Sequence, residues 1–253
     1  MLEIFHINCV TIVSPIIDNV CGHCLLLKEN EKLILVDTGI GLKDILNPLE
    51  RIGQELIDIV GYQFNEDQTA IQQIKNLGLN PENVADCIIS HFDNDHIGGL
   101  ADFPNATVHV GIEEFENYVS GNPRYLKIQL AHNPKIKKYK NAYSDWFGFE
   151  ARKVKTNIHS EIFLIPLFGH TLGHCGIAIK ANNKWLFYIG DAYYLRAELY
   201  DNNHPVKELA TINADNNVLR IDTLNKIRKL TNDHPEIEVF GYHDYEEFKN
   251  CKN

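Results

Sequence analysis

Apolar runs that stop abruptly at glycine, histidine or aspartate recur along this chain. Leu25-Leu26-Leu27 and Leu33-Ile34-Leu35-Val36 flank the polar turn Lys28-Glu29-Asn30-Glu31-Lys32. That pattern predicts strand, turn, strand within the first forty residues. The second run is continuous, as expected of a strand covered on both faces. It ends at Asp37-Thr38-Gly39-Ile40-Gly41. Residues 65–77 predict a helix. Asn65 is placed to cap it, with Gln68 three residues on as in a capping box. Ala70, Ile71, Ile74 and Leu77 follow at helical spacing, and Gly78 suits the position after the last turn. Pro81 blocks continuation, and a strand over 86–90 follows. Strand, helix, strand predicts an α/β layered architecture.

Three later strand ends repeat the signature. Ile162-Phe163-Leu164-Ile165-Pro166-Leu167 leads to Gly169-His170-Thr171-Leu172-Gly173-His174. Trp185-Leu186-Phe187-Tyr188-Ile189 leads to Gly190-Asp191-Ala192. Ile237-Glu238-Val239-Phe240 leads to Gly241-Tyr242-His243-Asp244. Residues at about 113–150 differ: they are polar and aromatic, with Tyr118, Tyr125, Tyr139, Tyr143, Trp146, Phe147 and Phe149, and loosely patterned. Such a segment inside a domain is functional or disordered. Its aromatic content predicts a lid-like insertion or pocket wall, with a surface excursion or oligomer contact as the alternative.

Composition narrows the function classes. A length of 253 residues suits one large domain or two small ones. The net charge of −10 disfavours nucleic-acid binding, which relies on clustered Lys and Arg. The basic run Lys135-Ile136-Lys137-Lys138-Tyr139-Lys140 reads as a solvated face. No secretory leader pattern opens the sequence and no apolar run approaches the roughly 20 residues of a membrane span. No membrane partner is therefore expected, and the expected location is cytoplasmic. Six cysteines without a leader are expected as thiols. Cys21-Gly22-His23-Cys24 has redox spacing, but it precedes a strand rather than a helix, so packing is its expected role.

The most informative stretch is His91-Phe92-Asp93-Asn94-Asp95-His96, directly after the apolar Cys87-Ile88-Ile89-Ser90. Buried carboxylates are costly unless paired or bound to a cation. One histidine at a strand end is ordinarily structural, but four such ends with the same signature are not independent accidents. Together they offer seven candidate ligands: His91, Asp93, Asp95, His96, His170, Asp191 and His243. That is enough for two metals and too many for one tetrahedral zinc. His23 is a candidate for the pocket wall. His109, inside an apolar strand, reads as a core histidine. His6, His132, His159, His204 and His234 read as surface or packing residues.

The order Asp-x-Gly (Asp37), His-x-x-x-Asp-His (His91, Asp95, His96), Gly-His-Thr-x-Gly-His (His170, His174), Gly-Asp-Ala (Asp191) and a late His243 resembles the metallo-β-lactamase-fold hydrolase superfamily. The resemblance spans nearly the whole chain; it is specific for the superfamily and weakly specific for substrate. It implies a four-layer αββα sandwich, here a single domain over 1–253, with metals at one edge between the sheets. It implies that His91, Asp93 and His170 hold a first metal, that Asp95, His96 and His243 hold a second, and that Asp191 bridges them. Asp37 and His174 would orient the ligands. Asp93 departs from the commonest pattern, which has His there, and resembles a subgroup with Asp at this position. A carboxylate shifts preference from zinc toward iron or manganese and weakens the first site. The implied cofactors are two divalent ions (Zn, Mn or Fe).

The resemblance implies a hydrolase in which a water between two cations loses its proton and attacks a carbonyl or phosphoryl group. Asp95 is placed to hold a metal and accept a proton. Tyr194, three residues after Asp191, matches a tyrosine of superfamily lactonases; packing beside Tyr193 is its alternative role. Acidity, the lack of a basic groove and the aromatic segment favour a small-molecule carboxylic ester, above all a lactone of acyl-homoserine-lactone type. The alternatives are a phosphodiesterase or nuclease of the same fold, for which Arg196 and Lys207 are isolated cations, and a metal-binding sensor without turnover. A β-lactamase is disfavoured, because those enzymes are exported. A homodimer is compatible with the sequence.

Overall fold

The central strands are buried almost continuously, on both faces, and form two sheets back to back. In the computed structural model, which describes residues 1–17 and 19–251, the first sheet has seven strands. They are β1 (Glu3–Ile12), β2 (Val20–Glu29), β3 (Lys32–Val36), β4 (Tyr62–Gln63), β5 (Val84–Ile88), β6 (Thr107–Gly111) and β7 (Lys135–Tyr139). Their order is β4-β1-β2-β3-β5-β6-β7. The second sheet holds β8 (Ser144–Trp146), β9 (Phe149–Lys153), β10 (Ile162–Pro166), β11 (Cys175–Ala181), β12 (Lys184–Tyr188) and β13 (Glu238–Phe240). Its order is β13-β12-β11-β10-β9-β8.

Alternate residues of the second sheet enter different cores. Ile162, Leu164, Ile177, Ile179 and Tyr188 pack with Leu25, Leu35, Ile88 and Val108 of the first sheet. Phe163, Ile165, Ala178, Phe187 and Ile189 face the other way, onto Leu224, Ile227 and Leu230 of the helix Asn217–Asp233. That helix starts where the Asn216 side chain accepts a hydrogen bond from Leu219 N at 3.1 Å. The helix Ala70–Asn76 buries Ala70 and Ile74 beside the first sheet. The layers are helix, sheet, sheet, helix, the αββα class expected. No helix among the described residues is long and apolar enough to cross a membrane.

Three local expectations are corrected. The helix expected over 65–77 is split. Asn65 caps a single 3-10 turn, Glu66–Gln68, and Thr69 (ψ 144°) is extended before Ala70–Asn76 begins. Gln68 bonds Thr11 on β1 instead of completing a capping box, so a tertiary contact outweighs the local one. Much of the 113–150 segment is regular structure rather than lid. Residues 135–139 form edge strand β7, whose lysines protect an otherwise open edge, and β8 and the start of β9 belong to the second sheet. The stretch 117–126 is the part that nears the ligand cluster. His23, a candidate for the pocket wall, is fully buried instead, 2.7 Å from His6 Nδ1 and stacked on Phe240.

Cys21 and Cys24 lie inside β2, where burial pushes both thiols well above their ordinary values, which is packing and not redox chemistry. His109 is a core histidine, bonded to Asp86 at 2.7 Å and the Tyr139 hydroxyl at 2.8 Å.

Parallel pairing of β3 with β5 and of β12 with β13 aligns their C-terminal ends along one edge. Backbone bonds stitch the sheets there, Cys175 N to Ser90 O and His23 N to Tyr242 O, while Tyr242 N to Gly190 O ties the ends of β13 and β12 together. That stitched edge carries the polar strand ends.

Candidate metal centre

Each strand end delivers its side chains for a local reason. Asp37 follows β3 with a left-handed backbone (φ 51°), which turns its carboxylate inward. It accepts four hydrogen bonds: from Ser90 N at 2.8 Å, Ser90 Oγ at 2.6 Å, His96 Nδ1 at 2.7 Å and the Tyr188 hydroxyl at 2.5 Å. A proton fixed on His96 Nδ1 leaves Nε2 facing the centre. His243 Nδ1 donates to Cys21 O at 3.0 Å, with the same consequence. His174 donates from Nδ1 to Leu167 O and accepts Asp191 N at Nε2, so it positions Asp191 through the backbone. Gly190 is required between them. Its φ is +52°, and a Cβ there would lie 2.7 Å from His174 Nε2.

The remote strand ends converge. His91, His170 and Asp191 present ligand atoms within 4.8 Å of one another, as do Asp95, His96 and His243. Asp191 lies between the two sets. Its Oδ1 is 3.3 Å from His96 Nε2, and its Oδ2 is 3.4 Å from His170 Nε2, 3.3 Å from His243 Nε2 and 3.9 Å from His91 Nε2. Metal–ligand bonds of about 2.1 Å in a tetrahedron separate ligand atoms by about 3.4 Å. The fit is chemical as well as metric. His91 Nε2, His96 Nε2 and Asp191 Oδ1 are buried without an aligned hydrogen-bond partner, an arrangement that a cation would satisfy. His96 and Asp191 attract each other at 3.3 Å but are not aligned to bond.

Burial and then the neighbouring His96 push His91 down to about 4, so it is neutral at pH 7, as a ligand must be. His96 is held well above its ordinary value: burial opposes its charge, but Asp191, Asp37 and Asp95 outweigh burial.

Asp93 is placed differently from the other six candidates. Its Oδ2 is 3.2 Å from both His91 Nε2 and His170 Nε2. Both of its oxygens are also gripped by Arg124, Nε to Oδ1 and Nη2 to Oδ2, each at 2.6 Å. Arg124 was missed in the sequence. It sits in the aperiodic Asn122-Pro123-Arg124, and the one available signal was that a carboxylate standing where histidine is usual needs a counter-charge. Tyr194 is buried, its ring 5.3 Å from His243 and 5.8 Å from His170, and its hydroxyl accepts from Asn213 Nδ2 at 3.3 Å. Burial and then Asp191 push this phenol above its ordinary value.

The loop carrying His91 and Asp93 is anchored by Glu114. This buried carboxylate accepts from Phe92 N, the Tyr125 hydroxyl and Thr171 Oγ at 2.6–2.8 Å. Burial still raises it to about 7 from 4.5. The folded state therefore binds a proton that the unfolded chain has lost. This penalty on folding is absent below about pH 4.5 and fully present above about 7, where it amounts to about 3 kcal/mol. Melting of metal-free Glu114→Gln against wild type is expected to show the variant gaining relative stability as pH rises through that window. A difference independent of pH would contradict this.

Comparison with known proteins agrees with the geometry. The profile described as the metallo-beta-lactamase superfamily matches residues 20–242. A probable metallo-hydrolase of Mycobacterium tuberculosis is 36% identical over 203 residues, 78% of this chain. The match spans 64% of that relative's length. An N-acyl homoserine lactonase of Bacillus cereus is 25% identical over 230 residues, covering 90% of this chain and 83% of the lactonase. A solved N-acyl homoserine lactone hydrolase, with N-hexanoyl-L-homoserine at its catalytic metal center, superposes with a TM-score of 0.74 at 20% identity. That superposition covers 99% of this chain and 95% of the other. On the profile match and these relatives, the chain belongs to the metallo-β-lactamase superfamily.

Proposed function

We propose that the protein is a metal-dependent hydrolase of carboxylic esters, with lactones bearing an apolar chain as preferred substrates. One observation carries this reading: a largely apolar cleft of about 490 Å³ reaches both donor sets, through Asp191 of one and Asp95 and His243 of the other. Ile12, Ile17, Val20, Leu56, Val60 and Leu126 wall it, and Asp93, Asp95, Arg124, Asp191, Tyr194 and His243 make up its polar end. Such a cleft suits a ligand with an apolar tail and one reactive polar group. The lactonase relatives act on molecules of that kind.

In this reading Asp95, His96 and His243 would hold a divalent ion, with Asp191 linking them to the donors His91, His170 and Asp93. A bound ion would supply Lewis acidity, polarising the carbonyl and making water acidic enough to ionise near neutral pH. Asp95 would hold that ion and, at the polar end of the cleft, is the proton acceptor of this reading. Tyr194 remains protonated and is a hydrogen-bond donor toward a substrate carbonyl or leaving oxygen. The apolar walls seat the acyl chain and exclude water. A phosphodiester fits less well. Arg196 is committed to Glu247 and Val239 O, and Arg124 to Asp93, so an anionic substrate would meet the carboxylates with no free guanidinium.

A chelator followed by gel filtration is expected to reduce lactone or aryl-ester turnover by about 10²-fold or more. Readdition of Mn, Fe or Zn is expected to restore it. A metal-loaded preparation inert toward lactones and esters, yet active on bis-aryl phosphodiesters, would overturn the substrate class.

A further inference from the structure

Arg124 is a cation built into the first half of the centre. Beyond its fork on Asp93, Nη2 lies 2.7 Å from His170 Nε2, and Nη1 donates to Asn213 O at 2.5 Å. Asp215 flanks it at 3.6 Å and is itself held by Asn117 Nδ2 at 2.8 Å and Asn122 Nδ2 at 3.2 Å. The guanidinium is thus fixed by groups on several sides, not merely resting in the cleft.

This placement conflicts with an ion in the same half. A neutral imidazole nitrogen has one lone pair, and His170 Nε2 cannot give it both to an Arg124 N–H and to a metal. Asp93, the other candidate ligand there, has both oxygens engaged by the same fork. In the other half, Asp95 and Asp191 face the imidazoles of His96 and His243 at 3.3–3.7 Å.

We propose that Arg124 occupies the place of the first cation, and that the protein holds one tightly bound divalent ion, in the Asp95–His96–His243 half. The proposal rests on the reading of this cluster as a metal centre. It gives Asp93 a reason to be aspartate: at this position it recruits a guanidinium where histidine would recruit a metal.

The test is metal content. Wild-type protein and Arg124→Gln are each saturated with Mn or with Zn, passed through a desalting column and analysed by plasma mass spectrometry. Wild type is expected to retain about one equivalent and Arg124→Gln about two. Calorimetric titration of metal-free wild type needs no variant. A second equivalent is expected to bind at least about 100-fold more weakly than the first. Wild type holding two equivalents of similar affinity, with Arg124→Gln unchanged, would overturn the proposal while leaving a metal centre in place. Wild type binding neither ion would overturn the metal reading itself, and this proposal with it.

Discussion

Asp191→Ala is expected to lower ester or lactone turnover by on the order of 10³-fold and to strip metal from the protein. Among the described residues, Asp191 is the one carboxylate within 4 Å of ligand nitrogens from both donor sets: His96, His170, His243 and His91. Removing it takes away the carboxylate that links the two sets, leaving Asp93 beside His91 and His170 and Asp95 beside His243, so a bound ion would lose a ligand and part of its local charge compensation. Metal ions supply several kcal/mol of transition-state stabilisation, and about 4 kcal/mol corresponds to about 10³ in rate. His174, which positions Asp191 only through its backbone N–H, gives the matching control. Turnover and metal content should fall together across a titration of added metal. A variant that keeps both at wild-type levels would remove Asp191 from the centre.

The parts of this site that were legible in the sequence are those tied to strand ends. A buried strand must turn where it leaves the sheet, and a His or Asp just after an apolar run marks that turn in one dimension. Asp37, the 91–96 cluster, His170, Asp191 and His243 all carry the mark, and the strands that precede them end along one edge. Arg124 carries no such mark, because its role is set by Asp93 and by Asn213 and Asp215, neighbours distant in sequence. The helix at 65–77 failed for a related reason: Gln68 had a better partner on β1 than its own cap. The lysine-rich 135–140 run looked like a solvated face and is one, yet it is also the edge strand of a sheet. Local patterns report exposure; they do not report which partner a side chain will find.

Asp37→Ala is expected to produce the largest loss of stability of any single change at this edge. Asp37 is fully buried and accepts hydrogen bonds from four donors on three segments. Each unmet buried donor costs about 1–3 kcal/mol. The hydroxyls of Ser90 and Tyr188 can turn toward other acceptors, while Ser90 N cannot, so a net loss of about 3–5 kcal/mol in the metal-free protein is the expected sum. The same carboxylate keeps the proton of His96 on Nδ1. Without it the ring is free to take the other tautomer, and metal affinity should fall about 10–100-fold. Tyr188→Phe separates the two effects. It removes one donor to Asp37 but leaves the His96 bond in place, so melting should shift downward with little change in metal affinity. If Asp37→Ala loses stability but binds metal as wild type does, His96 is oriented by the ion and its packing against Tyr242, and Asp37 is a structural residue alone.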